Sequence, residues 1–385
     1  MRRFVTLALL PLLAAPLAHA AVPIRIVTLN VLQSIGAPGS SDSTATGKFL
    51  TTLDLDGGGP NSGLNPDIVA LQECINSRYS EVLAFRDTYL PGYSAVRVNQ
   101  FDAGGLHAAI LYRPGINFVD ADEIHVGGPR NLQRLTLQVD GADRLLTIYN
   151  AHFKAGSSSS DRSQRTLNAQ NSGIQIWMDN NLGLDLNDDS VRETPAGHAI
   201  FVGDFNSNNN GDGTITGVFT NVNNGQPTGI LNLPVESLNG RNIGGSPLLV
   251  TFPASGSRYD YVCLSPELAA PFDVDHNGFF SQDELNAMGF VYYSGDDAGR
   301  LSNGDSVATS LASDHRPVVF DIVLPAPCPG DTNGDRVVNF LDLNNILGMF
   351  GQTGMTLQAD VNRDGAVNFL DLNIMLGSFG VTCPE

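Results

Sequence analysis

The chain has 385 residues, enough for two or three domains, and 42% hydrophobic residues, which excludes a wholly disordered protein. Forty acidic residues against 21 basic ones give a net charge of −19. That excludes a passive polyanion binder working through a basic stripe and suits a protein that carries divalent cations to a phosphate.

In chain order, Met1-Arg2-Arg3, the apolar run Phe4–Leu17 and Ala18-His19-Ala20 read as a signal peptide over 1–20, cleaved after Ala20. The alternative is an N-terminal membrane anchor, for which the run is short. No later segment reaches transmembrane length, so a secreted mature chain without a membrane span is expected. Over 22–324 the apolar runs are short and strand-like: Ile24–Val31, Ile68–Leu71, Ala108–Tyr112, Leu145–Ala151, Ile200–Val202, Tyr259–Leu264 and Val318–Val323. Helices are predicted at Tyr79–Tyr89 and Ser163–Leu182. The alternation has no regular βαβ period, which favours an α/β (α+β) sandwich of mixed sheets with outer helices over a doubly wound sheet. Asn206–Gly213 and Asn221–Gly225 read as surface loops.

A Pro-rich linker at 325–329 precedes a final segment, 330–385, that contains a repeat. The stretch Asp331-Thr332-Asn333-Gly334-Asp335-Arg336-Val337-Val338-Asn339-Phe340-Leu341-Asp342 recurs 29 residues later (360 − 331) from Asp360 to Asp371. Each copy runs into an apolar helical stretch, Leu343–Phe350 and Leu372–Phe379. Loop positions 1, 3, 5, 9 and 12 carry oxygen-bearing side chains: Asp331, Asn333, Asp335, Asn339 and Asp342, then Asp360, Asn362, Asp364, Asn368 and Asp371. Position 7, Val337 or Ala366, offers its carbonyl. This is the ligand schedule of an EF-hand-like Ca²⁺ loop, with Asp in place of Glu at position 12. A third such loop lies inside the large segment at 273–284, where Asp273, Asp275, Asn277, Phe279 (carbonyl), Ser281 and Glu284 hold the ligand positions and Gly278 the turn. Its alternative is an acidic surface turn. Of four cysteines, Cys328 and Cys383 bracket the repeat and suggest a clasp formed in an oxidising compartment. Cys74 and Cys263 are either a second pair or two buried thiols, the latter being the preferred reading.

The tandem from Asp331 to Phe379 resembles a dockerin module, the duplicated calcium-binding unit of secreted bacterial proteins. The resemblance implies a small all-α domain and a cohesin-like protein partner. The recognition pairs would be Phe340-Leu341 and Phe369-Leu370, apolar where the best-known dockerins often carry polar pairs.

Five patches in the large segment deliver polar groups from the ends of apolar strands: Arg25–Val31 with Asn30, Asp67–Glu73, Ile148–Lys154 with Asn150 and His152, Phe201–Ser207 with Asp204 and Asn206, and the pair Ser257–Val262 with Asp260 and Ser313–Val318 with Asp314 and His315. A core does not tolerate such groups unpaired, so five together point to one convergent pocket. Taken singly, each has a structural explanation: an Asx turn at Asp204, a core histidine at His152, a solvated strand end at Glu73.

The ordered set, and above all LQE ending at Glu73, GDFN at Gly203–Asn206 and SDHRPV at Ser313–Val318, resembles the endonuclease/exonuclease/phosphatase family over Ile24–Val323. The resemblance implies a four-layer α/β sandwich of two packed sheets and divalent-metal-dependent cleavage of a phosphoester. It makes Glu73 the principal ligand of Mg²⁺ (or Mn²⁺), with Asn30 and Asp314 as further metal or water ligands. Asp204 and Asn206 would position the attacking water and the phosphate. His315 would be the catalytic histidine and Asp260 the carboxylate that orients and charges it. His152 would stabilise the phosphorane or protonate the leaving oxygen, supported by Asn150. Lys154, one of two lysines in the chain, is a candidate phosphate contact. Deoxyribonuclease-like members carry a Glu in the strand that here runs Gly105–Pro114, and this chain has no acid there; His107 is read either as a contributor to the pocket or as structural, and His198 as structural.

Three functions follow from these residues. A secreted nuclease acting on DNA or RNA is first, with Arg130, Arg162 and Arg165 as candidate backbone contacts. A phospholipid phosphodiesterase of the sphingomyelinase type ranks lower, because 214–257 holds few aromatics for a membrane. A non-catalytic calcium-binding scaffold or adhesion protein is the third.

Overall fold

The computed structural model describes residues 21–53, 63–98, 105–186, 192, 197–208, 213–215, 231–232, 242–243, 246–247, 249–277, 279–292, 313–353, 357–362 and 364–383. The signal-peptide segment 1–20, the loop 221–225 and most of 214–257 lie outside the described residues.

The strands are β1 (Val22–Gln33), β2 (Ile68–Ile75), β3 (Ser94–Arg97), β4 (Leu106–Tyr112), β5 (Ile116–Ile124), β6 (Leu132–Val139), β7 (Leu146–His152), β8 (His198–Asp204), β9 (Leu231–Asn232), β10 (Asn242–Ile243), β11 (Ser246–Pro247), β12 (Asp260–Leu264), β13 (Gly289–Val291) and β14 (Val318–Leu324). Apart from the β10–β11 ribbon, they form two six-stranded sheets, in the orders β13-β14-β1-β2-β4-β3 and β5-β6-β7-β8-β12-β9. Each sheet has a parallel pair near its centre, β1 with β2 and β7 with β8, and the other described pairings are antiparallel.

Side chains alternate across a strand, so a strand buried on both faces reads as a continuous apolar run with two destinations. In β1, Ile24 and Ile26 enter the space between the sheets, where they meet Ile148, Ile200, Val202 and Val262 of the opposite sheet. Val27, Leu29 and Val31 face outward against helices α1 (Ser41–Thr52) and α2 (Tyr79–Tyr89), through Phe49, Leu50, Val82 and Phe85. On the far side, Tyr149, Ala151, Phe201 and Tyr261 pack under Ala169 and Ile176 of α3 (Ser159–Leu182). The order helix, sheet, sheet, helix is the four-layer sandwich. Helix α3 starts at a capping box, in which the Ser158 hydroxyl and the Asp161 carboxylate satisfy each other's backbone N–H. Two short helices, α4 (Pro266–Ala269) and α5 (Gln282–Met288), close the bottom and lead into β13.

The C-terminal helices α6 (Phe340–Met349) and α7 (Phe369–Gly377) pack around Val338, Ile346, Ala359, Val367 and Met375. So small a core seldom holds a fold by itself. It is closed by a disulfide between Cys328 and Cys383, whose Cα atoms are 5.7 Å apart. Cys74 and Cys263 are free and buried. They sit under the outer helices of opposite sheets, which keeps them from pairing, and burial pushes both thiols up to about 12.

Candidate active site

The period of two that builds the core also builds the site. In β1 the inward series Ile24, Ile26, Thr28 ends on Asn30; in β7 the series Leu146, Ile148, Asn150 ends on His152; in β8 Ile200 and Val202 are followed by Asp204. β12 runs antiparallel to β8 and begins with Asp260 directly opposite Asp204. His152 is the partner of Asp204 across the parallel β7–β8 ladder. One rim of the inter-sheet space therefore collects the polar end of every central strand.

Glu73 needs a further device. It follows the buried Gln72, and strict alternation would send it to the outer face. A register shift between Leu71 and Cys74 in the β2–β4 ladder, with Glu73 at φ 57°, turns it back toward the rim. A matching irregularity lies between Asn30 and Gln33 of β1, where Leu32 and Gln33 also have positive φ. Asn206, at φ 51°, closes an Asx turn by donating its N–H to Asp204 Oδ1 at 2.7 Å.

The side chains meet in one chain of contacts. Asn30 Nδ2 donates to Glu73 Oε1 at 3.1 Å and to Asp204 Oδ2 at 3.0 Å. Asn206 Nδ2 donates to Asp204 Oδ2 at 3.0 Å and to the Phe153 carbonyl at 3.3 Å. His152 Nε2 lies 3.3 Å from Glu73 Oε1 and 3.6 Å from Asp204 Oδ2. His315 Nε2 lies 3.8 Å from the same Asp204 oxygen, and its Nδ1 donates to Asp260 Oδ2 at 2.6 Å. Phe252 packs on the His315 ring, centroids 4.9 Å apart.

Burial sets the charges. It raises the Asp204 carboxyl well above the ordinary range, reinforced by the neighbouring Asp260 charge. It opposes charge on His315 too, but there Asp260's charge and hydrogen bond prevail, with help from Asp204 and Asp314, and the ring is pushed up to about 10. Burial, Arg130 and His315 together push His152 well below the usual histidine value, so that ring is neutral.

The other expected residues are placed differently. Asp314 is half-exposed, with Oδ1 4.0 Å from His315 Nε2. The hydrogen bonds of Asn150 go to Gln72, Gln133 and the carbonyls of Leu71 and Ala109, so its link to His152 runs through strand β7. Lys154 Nζ pairs with Asp161 at 3.1 Å and donates to the Ala155 carbonyl, which turns it toward the start of α3. Three arginines read as backbone contacts bind main-chain carbonyls of the loop after β7: Arg130 that of Phe153, Arg162 that of Ser157, and Arg165 those of Lys154 and Gly156. His107 is buried opposite Cys74 in the β2–β4 ladder and packs edge-on against Tyr79, and His198 is buried between Asp143 and Glu267.

The donor set fits a hard divalent cation. Glu73, His152 and Asp204 each offer an atom, all within 4.8 Å of one another, and His152 Nε2 is buried without a hydrogen-bond partner. Asp204, Asp260 and His315 form a second such group.

The EF-hand-like loops gather their acids as well. Ligand atoms of Asp331, Asp335 and Asp342 lie within 4.8 Å of one another, as do those of Asp273, Asp275 and Glu284. In each loop position 9 caps the outgoing helix and position 12 returns to it: Asn339 with Asp342, Asn368 with Asp371, Ser281 with Glu284. In the second repeat Asp360 accepts from the N–H groups of Asp364 and Gly365, and Asn362 donates its N–H to Asp371. Phe340, Leu341, Phe369 and Leu370 stand exposed on the two helices.

With this geometry established, comparison with known proteins gives the lineage. A model of the Endonuclease/Exonuclease/phosphatase family matches residues 27–315. The chain belongs to that family. It is thus a metal-dependent phosphoric ester hydrolase, and a dockerin type I domain model matches its residues 329–377. Among solved structures the chain is similar to humanized D. rerio TDP2 (16% identity, 78% of this chain and 98% of that one, TM-score 0.45). It is also similar to the human Nocturnin catalytic domain with bound sulfate (15%, 78% and 94%, TM-score 0.48) and to an endonuclease/exonuclease/phosphatase family protein from Bacteroides thetaiotaomicron (15%, 79% and 99%, TM-score 0.42). No curated protein matches the chain in sequence.

Proposed function

We propose that this hydrolase is a secreted nuclease that cleaves phosphodiester bonds of DNA or RNA with Mg²⁺ or Mn²⁺. The observation that carries the reading is the unbroken series Glu73–His152–Asp204–His315–Asp260 at one rim, in which acids and histidines alternate at contact distance.

Glu73, Asn30 and Asp204 would hold the cation, which supplies charge neutralisation for the phosphoryl oxygens when bound. Asp204 takes the proton of the attacking water, and Asn206 fixes its orientation. His315, held charged by Asp260, donates from Nε2 to the phosphate. His152 is neutral, which favours phosphorane stabilisation by hydrogen bonding over protonation of the leaving oxygen. Asn150 keeps β7 in place, and Asp314 acts through solvent at the mouth. Lys154 reaches a phosphate only on leaving Asp161.

The dockerin module binds Ca²⁺ and docks a cohesin-like partner through the exposed Phe-Leu pairs. The loop at 273–284 takes a further Ca²⁺. Export through the 1–20 segment agrees with the disulfide, and no described helix is long and apolar enough to cross a membrane.

The test is hydrolysis of plasmid DNA, RNA, sphingomyelin and a chromogenic bis-phosphodiester, with Mg²⁺ and then with chelator. Metal-dependent nucleic-acid cleavage, abolished in His315→Ala, is the expected result. Cleavage of sphingomyelin alone would make the chain a phospholipid phosphodiesterase, and no turnover on any substrate would make it a scaffold.

A further inference from the structure

The acid and the histidine of the Asp260–His315 pair lie 55 residues apart and come from different sheets, β12 and the segment before β14. Something must hold the two backbones in step for the 2.6 Å bond to form. Thr251 lies in neither motif and is fully buried. Its hydroxyl oxygen accepts the N–H of Tyr259 at 2.9 Å and that of Asp260 at 3.0 Å. Its carbonyl accepts the N–H of Arg316, the residue after His315, at 2.7 Å. Its own N–H donates to the Ser257 carbonyl, closing the small hairpin that seats Phe252 against the histidine ring. Arg316 Nη1 adds a bond to the Val250 carbonyl.

We infer that Thr251 is a positioning residue that sets the alignment of the Asp260–His315 pair by anchoring both backbones to one side chain and one peptide unit. The inference rests on the proposed use of that pair in phosphodiester hydrolysis. The hydroxyl is the informative group. It satisfies two buried N–H groups at once, so valine, similar in shape, leaves both without an acceptor and frees the start of β12 to shift. Serine retains the oxygen. A displacement of the carboxylate by a fraction of an ångström is enough to misdirect the imidazole.

The experiment uses the full chain, with bis(p-nitrophenyl) phosphate and saturating Mg²⁺. Thr251→Val is expected to lower kcat roughly tenfold or more while KM stays within about twofold. Thr251→Ser restores kcat to within about threefold of the parent. The low-field proton resonance of the hydrogen-bonded His315 Nδ1–H moves upfield in the valine variant and returns in the serine variant. Thr251→Ala, which removes the same oxygen without a branched replacement, stands in if valine prevents folding. Parental kcat in a folded valine or alanine variant, a serine variant as impaired as valine, or loss of fold in both valine and alanine would each overturn the positioning role. His315→Ala is measured alongside: full activity there would refute the use of the pair itself, whereas its loss together with parental kcat in Thr251→Val would refute the role of Thr251 alone.

Discussion

Asp260→Asn probes the electrostatics of the site with little change in shape. Asp260 Oδ2 accepts from His315, whereas Oδ1 is buried without a hydrogen-bond partner. An amide can therefore keep its oxygen toward the ring and place NH₂ where no donor opposes it. What disappears is the charge. A charge-assisted hydrogen bond contributes about 1.5–3 kcal/mol, so its loss in the transition state slows turnover about 10- to 150-fold. The pH dependence carries a second effect. With Asp260 gone, burial of His315 is opposed only by Asp204 and Asp314, and the pKa of about 10 falls toward the ordinary value near 6.5. A ring titrating near 6.5 is only about 3% charged at pH 8, which adds roughly a thirtyfold loss there that is nearly absent at pH 6. The alkaline limb of kcat/KM thus moves from about pH 10 to near neutrality. Initial rates on a chromogenic bis-phosphodiester from pH 5.5 to 10, with unchanged circular dichroism, read that limb. A parent-to-variant ratio that stays flat across that range, or a loss below about threefold, would refute the account of His315 as a charged donor.

Stability without metal carries the same signs. The raised Asp204 pKa is a cost absent at about pH 4 and complete above about pH 7, and the raised His315 pKa stabilises below about 6.5 and is lost as pH rises through about 10. Chelator-treated protein should therefore have a lower Tm at pH 8 than at pH 5, and Mg²⁺ should raise Tm more at pH 8; equal Mg²⁺ shifts at both would contradict it. Calcium titration of the full chain by calorimetry should show three sites, two of which vanish in Asp331→Ala plus Asp360→Ala while the one in 273–284 persists. The disulfide closes a separation of 55 residues, worth about 4 kcal/mol in chain entropy, so Cys328→Ser plus Cys383→Ser should lower the melting of the C-terminal module and leave bis-phosphodiester hydrolysis intact. Unchanged melting would mean that calcium alone holds the module.

The central strands were legible because both of their faces are buried: the runs at Ile24, Ile68, Ala108, Leu145, Ile200, Tyr259 and Val318 each became a core strand. α2 was legible from its spacing. Helix α1 was not predicted, because Ser41–Gly47 is small and polar and its apolar anchors Phe49 and Leu50 come late. β5 was missed for the opposite reason, being an edge strand whose polar residues face solvent. In the site, strand-end residues could be read from period and motif. The bulge that turns Glu73 inward could not, since alternation sends it to the other face. The carbonyl partners of Arg130, Arg162 and Arg165 could not be read, because composition does not reveal them. Thr251 escaped notice because an isolated threonine beside Phe252 carries no pattern; only the folded backbone reveals two N–H groups aimed at one oxygen.

The rim is composed of both sheets, so catalysis depends on their relative position as well as on each sheet's own ladder. Apolar packing fixes that position weakly, because a greasy interface tolerates small slips. Directional bonds fix it more strongly. Immediately beneath the site Gln72 of one sheet donates to Asn150 of the other at 2.8 Å and to Thr28 at 3.0 Å. Asn150 donates back to the Leu71 and Ala109 carbonyls of the opposite sheet and to Gln133 of its own. These amides are fully buried, where an apolar pair would avoid the desolvation penalty, and Gln72 Oε1 is left without a partner. One turn of the pleat above them, Asn30 crosses the same gap to Asp204. Polar cross-links are thus concentrated at the depth where a slip would separate Glu73 and Asn30 from Asp204 and His152, and the apolar layers begin below that point. Their placement follows from the requirements of the site more than from those of the core.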